Sequence, residues 1–232
     1  MGDDWNQYEC LSDLFVYPDE HFGGRVVEVQ KLLDETFTPA AEELHAFTSY
    51  ASSAPLVEME EIYTRSFDVQ AITTLDLGYV LFGDDYKRGE LLVNLNREHG
   101  RAAVDCGTEL ADHLPNVLRL IAAMDDGELR RELVRRIVAP ALRKIMAEFD
   151  GKRMDKKDAV YRKHHKTLID RSEQYGVIYV CAVRALYSVL ERDFNVEPDE
   201  VQHAPQQGRF LQSIGTEMTM ECRKGNCDVA NR

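Results

Sequence analysis

The feature of the sequence that most constrains the fold is a pair of helix signals meeting at a glycine, within residues 60–95. Before the glycine, apolar side chains recur at the three- and four-residue spacing of one helix face, and these are Ile72, Leu75, Tyr79 and Phe82. Gly83 follows, and glycine accepts the left-handed conformation that ends many helices without a steric cost. Asp84 or Asp85 can then cap a second helix by accepting hydrogen bonds from its free N–H groups. The segment predicts two helices joined by a tight turn, with the second ending near Gly100.

An aromatic pair leads into these helices. Tyr63 and Phe67 are four residues apart, so they share one face of a predicted helix. Asp68 follows directly, and its carboxylate is placed to cap the next segment. This is a packing motif, and no catalytic motif accompanies it.

Helical periodicity also dominates the rest of the chain, and no stretch alternates apolar and polar residues as a half-buried strand does. Gly23 and Gly24 separate predicted helices over residues 6–17 and 25–36. Residues 128–149 predict one long helix, which Pro140 should kink because it removes a backbone hydrogen bond. The β-branched stretch 177–183 is also predicted to be helical. We expect an all-α fold, with a single helical-bundle domain over residues 1–194, a candidate hinge at 150–158 and a largely flexible C-terminal extension over 195–232.

The charge of the chain limits its partners. There are 41 acidic and 28 basic side chains, which give a net charge of −13. Such a protein repels nucleic-acid phosphates and attracts basic partner segments, although solubility alone would also explain the acidity. No apolar run approaches the ~20 residues of a membrane helix, and the acidic N-terminus lacks the basic region of a signal peptide. With five cysteines, an odd number, the chain is expected to be cytoplasmic.

One cluster of chemistry-bearing residues stands out, since Glu109, Asp112 and His113 place two carboxylates and an imidazole within five residues. The structural interpretation is a helix start, where Asp112 is the N-cap and Glu109 or His113 pairs locally. The functional interpretations are a polar recognition spot or a metal or acid–base site. A metal site would need a further ligand at helical spacing, as in H-E-x-x-H, and the sequence has none.

Two further pairs of residues carry groups suited to metal or redox chemistry. His164 and His165 are adjacent, so on a helix they face different directions and are predicted to lie on a solvated face. Cys222 and Cys227 could form a redox pair or half of an intermolecular metal site, or have no structural role. Glycine-rich phosphate loops and the G-x-S-x-G motif are absent from the sequence. We therefore expect no catalytic residue, no bound metal and no cofactor.

Two blocks of the sequence resemble a known family. The first block, residues 63–89, contains Tyr63-x₃-Phe67-Asp68, then Leu-x-Leu-x-Tyr-x-Leu-Phe-Gly-Asp over 75–84, then Lys87-Arg88-Gly89. The second block, residues 109–115, has Glu109, Asp112 and His113 in the E-x-x-D-H pattern, followed by Leu114 and Pro115. Together they resemble the NarJ/TorD family of molybdoenzyme assembly chaperones, and most closely its nitrate reductase delta-subunit branch. The resemblance covers roughly residues 8–150. Ala111 departs from it, since the family commonly has proline there.

The resemblance implies a helical cytoplasmic chaperone without a cofactor. Such proteins bind the apo catalytic subunit of a molybdenum oxidoreductase, often through its N-terminal segment. They hold it until the bis-molybdopterin guanine dinucleotide is inserted, before membrane docking or export. Neither nucleic-acid binding nor membrane insertion is implied, and the protein is expected to be a monomer or a domain-swapped dimer. The substrate of the client enzyme stays open among nitrate, chlorate, selenate, dimethyl sulfide and hydrocarbons.

The resemblance and the residue chemistry together suggest a client-peptide site. We expect an apolar groove with a charged polar end, as peptide-binding helical modules have. The residues predicted to bind the client peptide are Tyr63, Phe67, Asp68, Tyr79, Glu109, Asp112, His113 and Pro115. Two alternatives belong to other classes: a metal- or redox-responsive regulator that uses Cys222 and Cys227, and a helical hydrolase with a metal held by Glu109, Asp112 and His113.

Overall fold

The computed structural model describes residues 5–149 and 177–196, and the regular structure in these two ranges is helical. In chain order the elements are α1 (Gln7–Ser12), a 3₁₀ turn (Asp13–Phe15), α2 (Phe22–Thr36), α3 (Thr38–Ala51), α4 (Leu56–Phe67), α5 (Leu77–Phe82), α6 (Tyr86–Ala102), α7 (Leu114–Ala123), α8 (Gly127–Leu133), a π-helical turn (Val134–Val138), α9 (Ala139–Glu148) and α10 (Tyr179–Phe194). The predicted all-α fold is confirmed. The helix predicted for the β-branched stretch near residue 180 is confirmed as the start of α10.

One continuous hydrophobic core joins these helices into a single domain. The last described helix, α10, packs against α3 and α9, while α2 lies on α3 and α1 on α7. The fully buried ring of Tyr179 lies among aromatic rings of α3 and α4, with its centroid 4.9 Å from those of Phe47 and Phe67 and 5.9 Å from that of Tyr63. Tilted and edge-to-face pairs of this kind add stability beyond the area that they bury. The predicted aromatic pair of α4 is therefore part of the core.

The N-terminal helix is fixed to the C-terminal one. The Tyr8 hydroxyl and the Gln7 side-chain amide both donate hydrogen bonds to the Asp193 carboxylate, at 2.8 and 2.6 Å. Trp5 stacks on Phe194 with 5.0 Å between ring centroids. These contacts join residues far apart in the chain, so α10 closes the bundle against α1.

The turn between α5 and α6 lies at Gly83, as the sequence predicts, but this glycine does not adopt the predicted left-handed helical conformation. Gly83 ends α5 with φ +63° and ψ −140°, a region of backbone space that is close to glycine-only. Of the two candidate caps, Asp85 is the one used, because its Oδ1 accepts a hydrogen bond from the backbone N–H of Lys87 at 3.0 Å. The second helix ends at Ala102, two residues beyond the predicted Gly100.

The prediction that Ile72, Leu75, Tyr79 and Phe82 lie on one face of a single helix was wrong. Helix α5 begins only at Leu77, so Ile72 and Leu75 precede it, and Asp76 is extended with ψ 96°. The cause is tertiary, since this extended residue forms an antiparallel β-bridge with His113. The prediction of Asp68 as a helix cap was also wrong, because it lies at the C-terminal end of α4 and no helix follows it directly.

Two other boundaries differ from the prediction. Gly23 and Gly24 lie inside the first turn of α2 instead of separating two helices. A Cβ at Gly23 would lie 3.1 Å from the Ala51 carbonyl oxygen, so glycine allows the close approach of α2 to the end of α3. The sequence predicts one long helix over residues 128–149 with a kink at Pro140. In the structure this stretch is interrupted by a π-helical turn, which ends two residues before Pro140.

Some of the predicted features fall outside the described residues, namely the candidate hinge at 150–158, His164, His165, Cys222, Cys227 and nearly all of the C-terminal extension. Within the described part of the chain, no helix is both long and apolar enough to cross a membrane.

Candidate functional site

The two sequence blocks that carry the family resemblance meet through their backbones. Asp76 of the first block and His113 of the second form the antiparallel β-bridge. Beside it, the N–H of Leu77 donates to the carbonyl of Asp112, and the N–H of Leu114 donates to the carbonyl of Leu75, both at 2.9 Å. These hydrogen bonds satisfy backbone groups that would otherwise be buried without partners, and they hold the starts of α5 and α7 side by side.

Four side chains, here called the ion network, fill the space behind this bridge. They are Asp76, Arg88, Asp112 and His113. The guanidinium of Arg88 donates from Nε to Asp112 Oδ2 at 3.0 Å and from Nη2 to Asp76 Oδ2 at 2.9 Å. His113 Nδ1 lies 3.1 Å from Asp76 Oδ1. A carboxylate oxygen only accepts hydrogen bonds, so the proton belongs on Nδ1.

The position of Asp112 corrects its predicted role. His113, not Asp112, occupies the N-cap position of α7, and it makes no side-chain cap hydrogen bond. The Asp112 carboxylate is fully buried, and a buried carboxylate needs a cationic partner to offset its desolvation. Arg88 is that partner. The predicted local pairing of His113 was also wrong, since His113 bonds to a residue 37 positions earlier.

The network lowers the pKa of Asp76, the more accessible of its two carboxyl groups. The hydrogen bond from His113 is the largest cause that holds the pKa of Asp76 below its usual value, and electrostatic attraction from His113 and from the Arg88 guanidinium acts in the same direction. Burial opposes them. The ionised form of Asp76 is therefore favoured, which keeps Arg88 bound to two anions at once.

Gly78 allows the network to form. A Cβ at this position would lie 2.6 Å from Asp112 Oδ2 and 3.1 Å from Arg88 Cγ. Neither atom is free to move away, because both belong to the same buried ion pair. A side chain on Gly78 would therefore disrupt the contact between α5 and α6.

A buried histidine supports the loop that carries the second block. His99, near the end of α6, is 3% exposed, and its Nε2 lies 3.1 Å from the carbonyl oxygen of Ala111. Asn116 donates to two carbonyls of the same loop, those of Cys106 at 3.2 Å and Leu110 at 3.0 Å. The loop preceding Asp112 is thus fixed from both sides, so Asp112 is held where Arg88 can reach it.

The eight residues predicted for client binding divide into two groups by exposure. Tyr63, Phe67, Asp112 and Pro115 are buried, and His113 is mostly covered. The accessible ones are Asp68, Tyr79 and Glu109. Their contact with a client stays a prediction, but only this second group offers a side chain to solvent without unfolding.

One of the accessible residues, Tyr79, contacts the ion network. Its ring, 45% exposed, has the guanidinium carbon of Arg88 5.3 Å from its centroid, a cation–π contact. The other two accessible residues act on Tyr63. Burial raises the pKa of the Tyr63 hydroxyl above its usual value, and the negative charges of Glu109 and Asp68, which come from different blocks, raise it further.

Arg88, Asp76 and Gly78 are the residues that sequence reasoning missed. All three lie inside the first block, but their role depends on Asp112 in the second block, 24 positions beyond Arg88. One signal in the sequence could have pointed to Arg88. Asp112 lies close to the mostly apolar stretch 114–121, and an aspartate that is buried there needs a cationic partner.

The side chains that could ligate a metal are dispersed in the part of the chain that the structure describes. Within 5–149 and 177–196, no group of three or more His, Cys, Asp and Glu side chains is arranged to hold a metal ion. Glu109 is exposed, whereas Asp112 and His113 are occupied by Arg88 and Asp76. The ligand set that the hydrolase alternative requires is therefore not assembled among these residues.

The fold and the site together define an all-α domain in which a partly buried ion network connects two segments distant in sequence. No family model matches this chain, and no curated protein matches it at a significant level. Its function is therefore inferred from its own residues.

Proposed function

We propose that the protein is an assembly chaperone of the NarJ/TorD kind, which binds the apo catalytic subunit of a nitrate reductase-type molybdenum oxidoreductase in the cytoplasm. It would assist insertion of the molybdenum cofactor before membrane docking or export. The observation that supports this proposal is the meeting of the two resembling blocks at Arg88. Asp112 and His113 of the second block and Arg88 of the first are partners in one partly buried network.

The chemistry of the network favours a positioning role over catalysis. The Asp112 carboxylate is buried against Arg88, and the Nδ1 of His113 is bonded to Asp76. A general base or nucleophile must reach its substrate within hydrogen-bond distance, and Asp112 has no exposed surface to do so. The network would instead hold the surrounding surface in one shape for binding.

The accessible residues suit a basic segment of a client. Asp68 and Glu109 supply two carboxylates, and Tyr79 supplies an exposed ring. Exposed aromatic rings and carboxylates are the groups that peptide-binding surfaces offer to apolar, cationic peptides. The net charge of −13 adds long-range attraction for such a segment.

The proposal is tested by co-purification. The full chain, affinity-tagged, is isolated from a lysate of its native host grown under conditions that induce molybdoenzymes, and bound proteins are identified by mass spectrometry. We expect a large molybdopterin-binding catalytic subunit that lacks its cofactor. The tag alone serves as the control. Recovery of no such subunit, or recovery of only the mature, cofactor-loaded enzyme, would overturn the proposal.

A further inference from the structure

A second surface feature lies apart from the ion network. A pocket of about 570 Å³ opens between the start of α2, the end of α3 and the start of α4. Its lining residues all fall within 19–59, so none belongs to either of the two resembling blocks. The volume is in the range of pockets that enclose a small ligand or several peptide side chains.

Part of the lining of this pocket is apolar. Phe22 and Met59 belong to it and are almost fully buried, at 1% and 2% exposure. Leu56 also lines the pocket and is 38% exposed. A large apolar side chain therefore stands partly in water on a concave surface, a combination typical of interaction sites.

The rim of the pocket is acidic. Asp19, Glu20 and Glu28 contribute three carboxylates, and Lys31 contributes one ammonium group. Asp19 is already engaged, since both of its oxygens accept from Arg25 Nη1 at 2.9 and 3.0 Å. Glu28, in contrast, is exposed and forms no ion pair with any residue of the described chain. It is the carboxylate best placed to receive a cation from outside.

Gly24 leaves room inside the site. It lines the pocket on the first turn of α2, and a Cβ there would meet no atom within 4 Å. Glycine in a helix costs about 0.5–1 kcal/mol relative to alanine, and here no close packing explains that cost. The open space beside Gly24 is available to a ligand.

We propose that this pocket binds a peptide segment of a partner protein, with a lysine or arginine next to apolar side chains. The apolar residues of the segment would bury Leu56 and enter beside Gly24. The cation would pair with Glu28. The negative charge of the whole chain steers such a segment toward the surface and repels an acidic one. The origin of the segment in a molybdoenzyme client rests on the proposed function. The preference for a basic apolar peptide rests on the pocket alone.

Fluorescence anisotropy with synthetic peptides tests the pocket. The probe is a short fluorescein-labelled peptide of leucine, alanine and arginine, and a second peptide has glutamate in place of arginine. Wild type should bind the arginine peptide and not the glutamate peptide. The variants are compared in a chain that also carries Asp68→Lys and Glu109→Lys, so that the residues proposed for client binding do not hold the probe. Gly24→Trp should abolish binding by filling the pocket, and Glu28→Lys should weaken it by about fivefold to tenfold. Gly100→Trp is the matched control, because Gly100 is also a helical glycine with open space around its Cβ.

The outcomes separate this inference from the proposed function. Equal binding of the two peptides, or wild-type binding by Gly24→Trp, would overturn the pocket assignment even if the molybdoenzyme subunit co-purifies. If Gly24→Trp and Gly100→Trp both lose binding, the tryptophan has damaged the fold. Glu28→Lys changes an exposed side chain and then decides the question: wild-type binding by this variant would overturn the pocket assignment. If peptide binding follows these expectations while no molybdoenzyme subunit co-purifies, the result would support the assignment of the pocket as a peptide site and overturn the chaperone proposal.

Discussion

Arg88 and Asp112 form an ion pair at 3.0 Å in which the carboxylate is completely buried, whereas the guanidinium keeps a second carboxylate partner, Asp76. The two ends of the pair are therefore not equivalent. Removal of Asp112 leaves Arg88 with Asp76, but removal of Arg88 leaves Asp112 as a buried charge without a cation.

This asymmetry predicts unequal costs of substitution. Arg88→Met should lower the free energy of unfolding by about 3–5 kcal/mol, the usual effect of leaving one buried charge unpaired. Asp112→Asn should cost less, about 1–3 kcal/mol, because one hydrogen bond is weakened and no charge is stranded. Urea denaturation followed by circular dichroism measures both. Equal costs would show that Asp112 has another cation partner.

A pair of glycines in neighbouring helices should respond to alanine with opposite signs. Gly78→Ala places a methyl group against the Asp112 carboxylate, and such overpacking costs about 1–3 kcal/mol. Gly89→Ala, on α6, meets no atom within 4 Å and should stabilise by about 0.5–1 kcal/mol through helix propensity. Thermal unfolding of the two variants beside wild type gives the comparison. A neutral Gly78→Ala would mean that the network shifts more easily than its contacts indicate.

His99 makes stability depend on pH in a defined direction. Burial is the main cause that lowers its pKa below the usual 6.5, and its Nδ1 is buried without a hydrogen-bond partner among the described residues. The unfolded chain therefore binds a proton that the folded chain resists, so stability is retained above pH 6.5 and lost as the pH falls below it.

Substitution of His99 should flatten this dependence. Free energies of unfolding, measured in urea from about pH 7.5 down to about pH 5.5, should fall less for His99→Gln than for wild type, because the glutamine amide can still donate to Ala111 but does not titrate. A variant at the exposed His45 should retain the wild-type slope. If His99→Gln and wild type lose the same free energy, another group is responsible.

Local sequence signals were sufficient where the interacting groups are close neighbours in the chain. The turn at Gly83 and the cap at Asp85 were predictable for this reason: a glycine tolerates positive φ, and a carboxylate lies two residues before the N–H that it binds. The aromatic spacing of Tyr63 and Phe67 likewise gave the correct helix, α4.

The errors arose where a distant partner overrides the local pattern. Leu75 fits the helical spacing of Tyr79, but its carbonyl accepts from Leu114, so the chain is not helical there. Asp112 has the sequence context of an N-cap, but burial beside Arg88 decides its role. The pocket beside Gly24 was missed for the same reason, since it requires three helices to assemble before it exists.

The predicted client-binding residues fall into a buried group and an accessible group, and the two groups should respond differently to substitution. If the surface around the ion network binds a client, Tyr79→Ala, Asp68→Lys and Glu109→Lys should reduce the amount of co-purified catalytic subunit. Their stability should change little, by less than about 1 kcal/mol, because all three side chains are exposed and a cation–π contact to an exposed ring contributes little. Phe67→Ala should behave differently and lower the free energy of unfolding by about 3–5 kcal/mol, because it empties part of the aromatic core around Tyr179.

Both quantities should be measured on each variant, with co-purification carried out at a temperature where Phe67→Ala is still folded. Under those conditions Phe67→Ala should retain the client if its ring serves the core alone. Loss of the client by Phe67→Ala in its folded state, together with retention by the three surface variants, would place the binding surface elsewhere. Since Phe67 is 8% exposed and Tyr79 45% exposed, we expect the surface variants to lose the client.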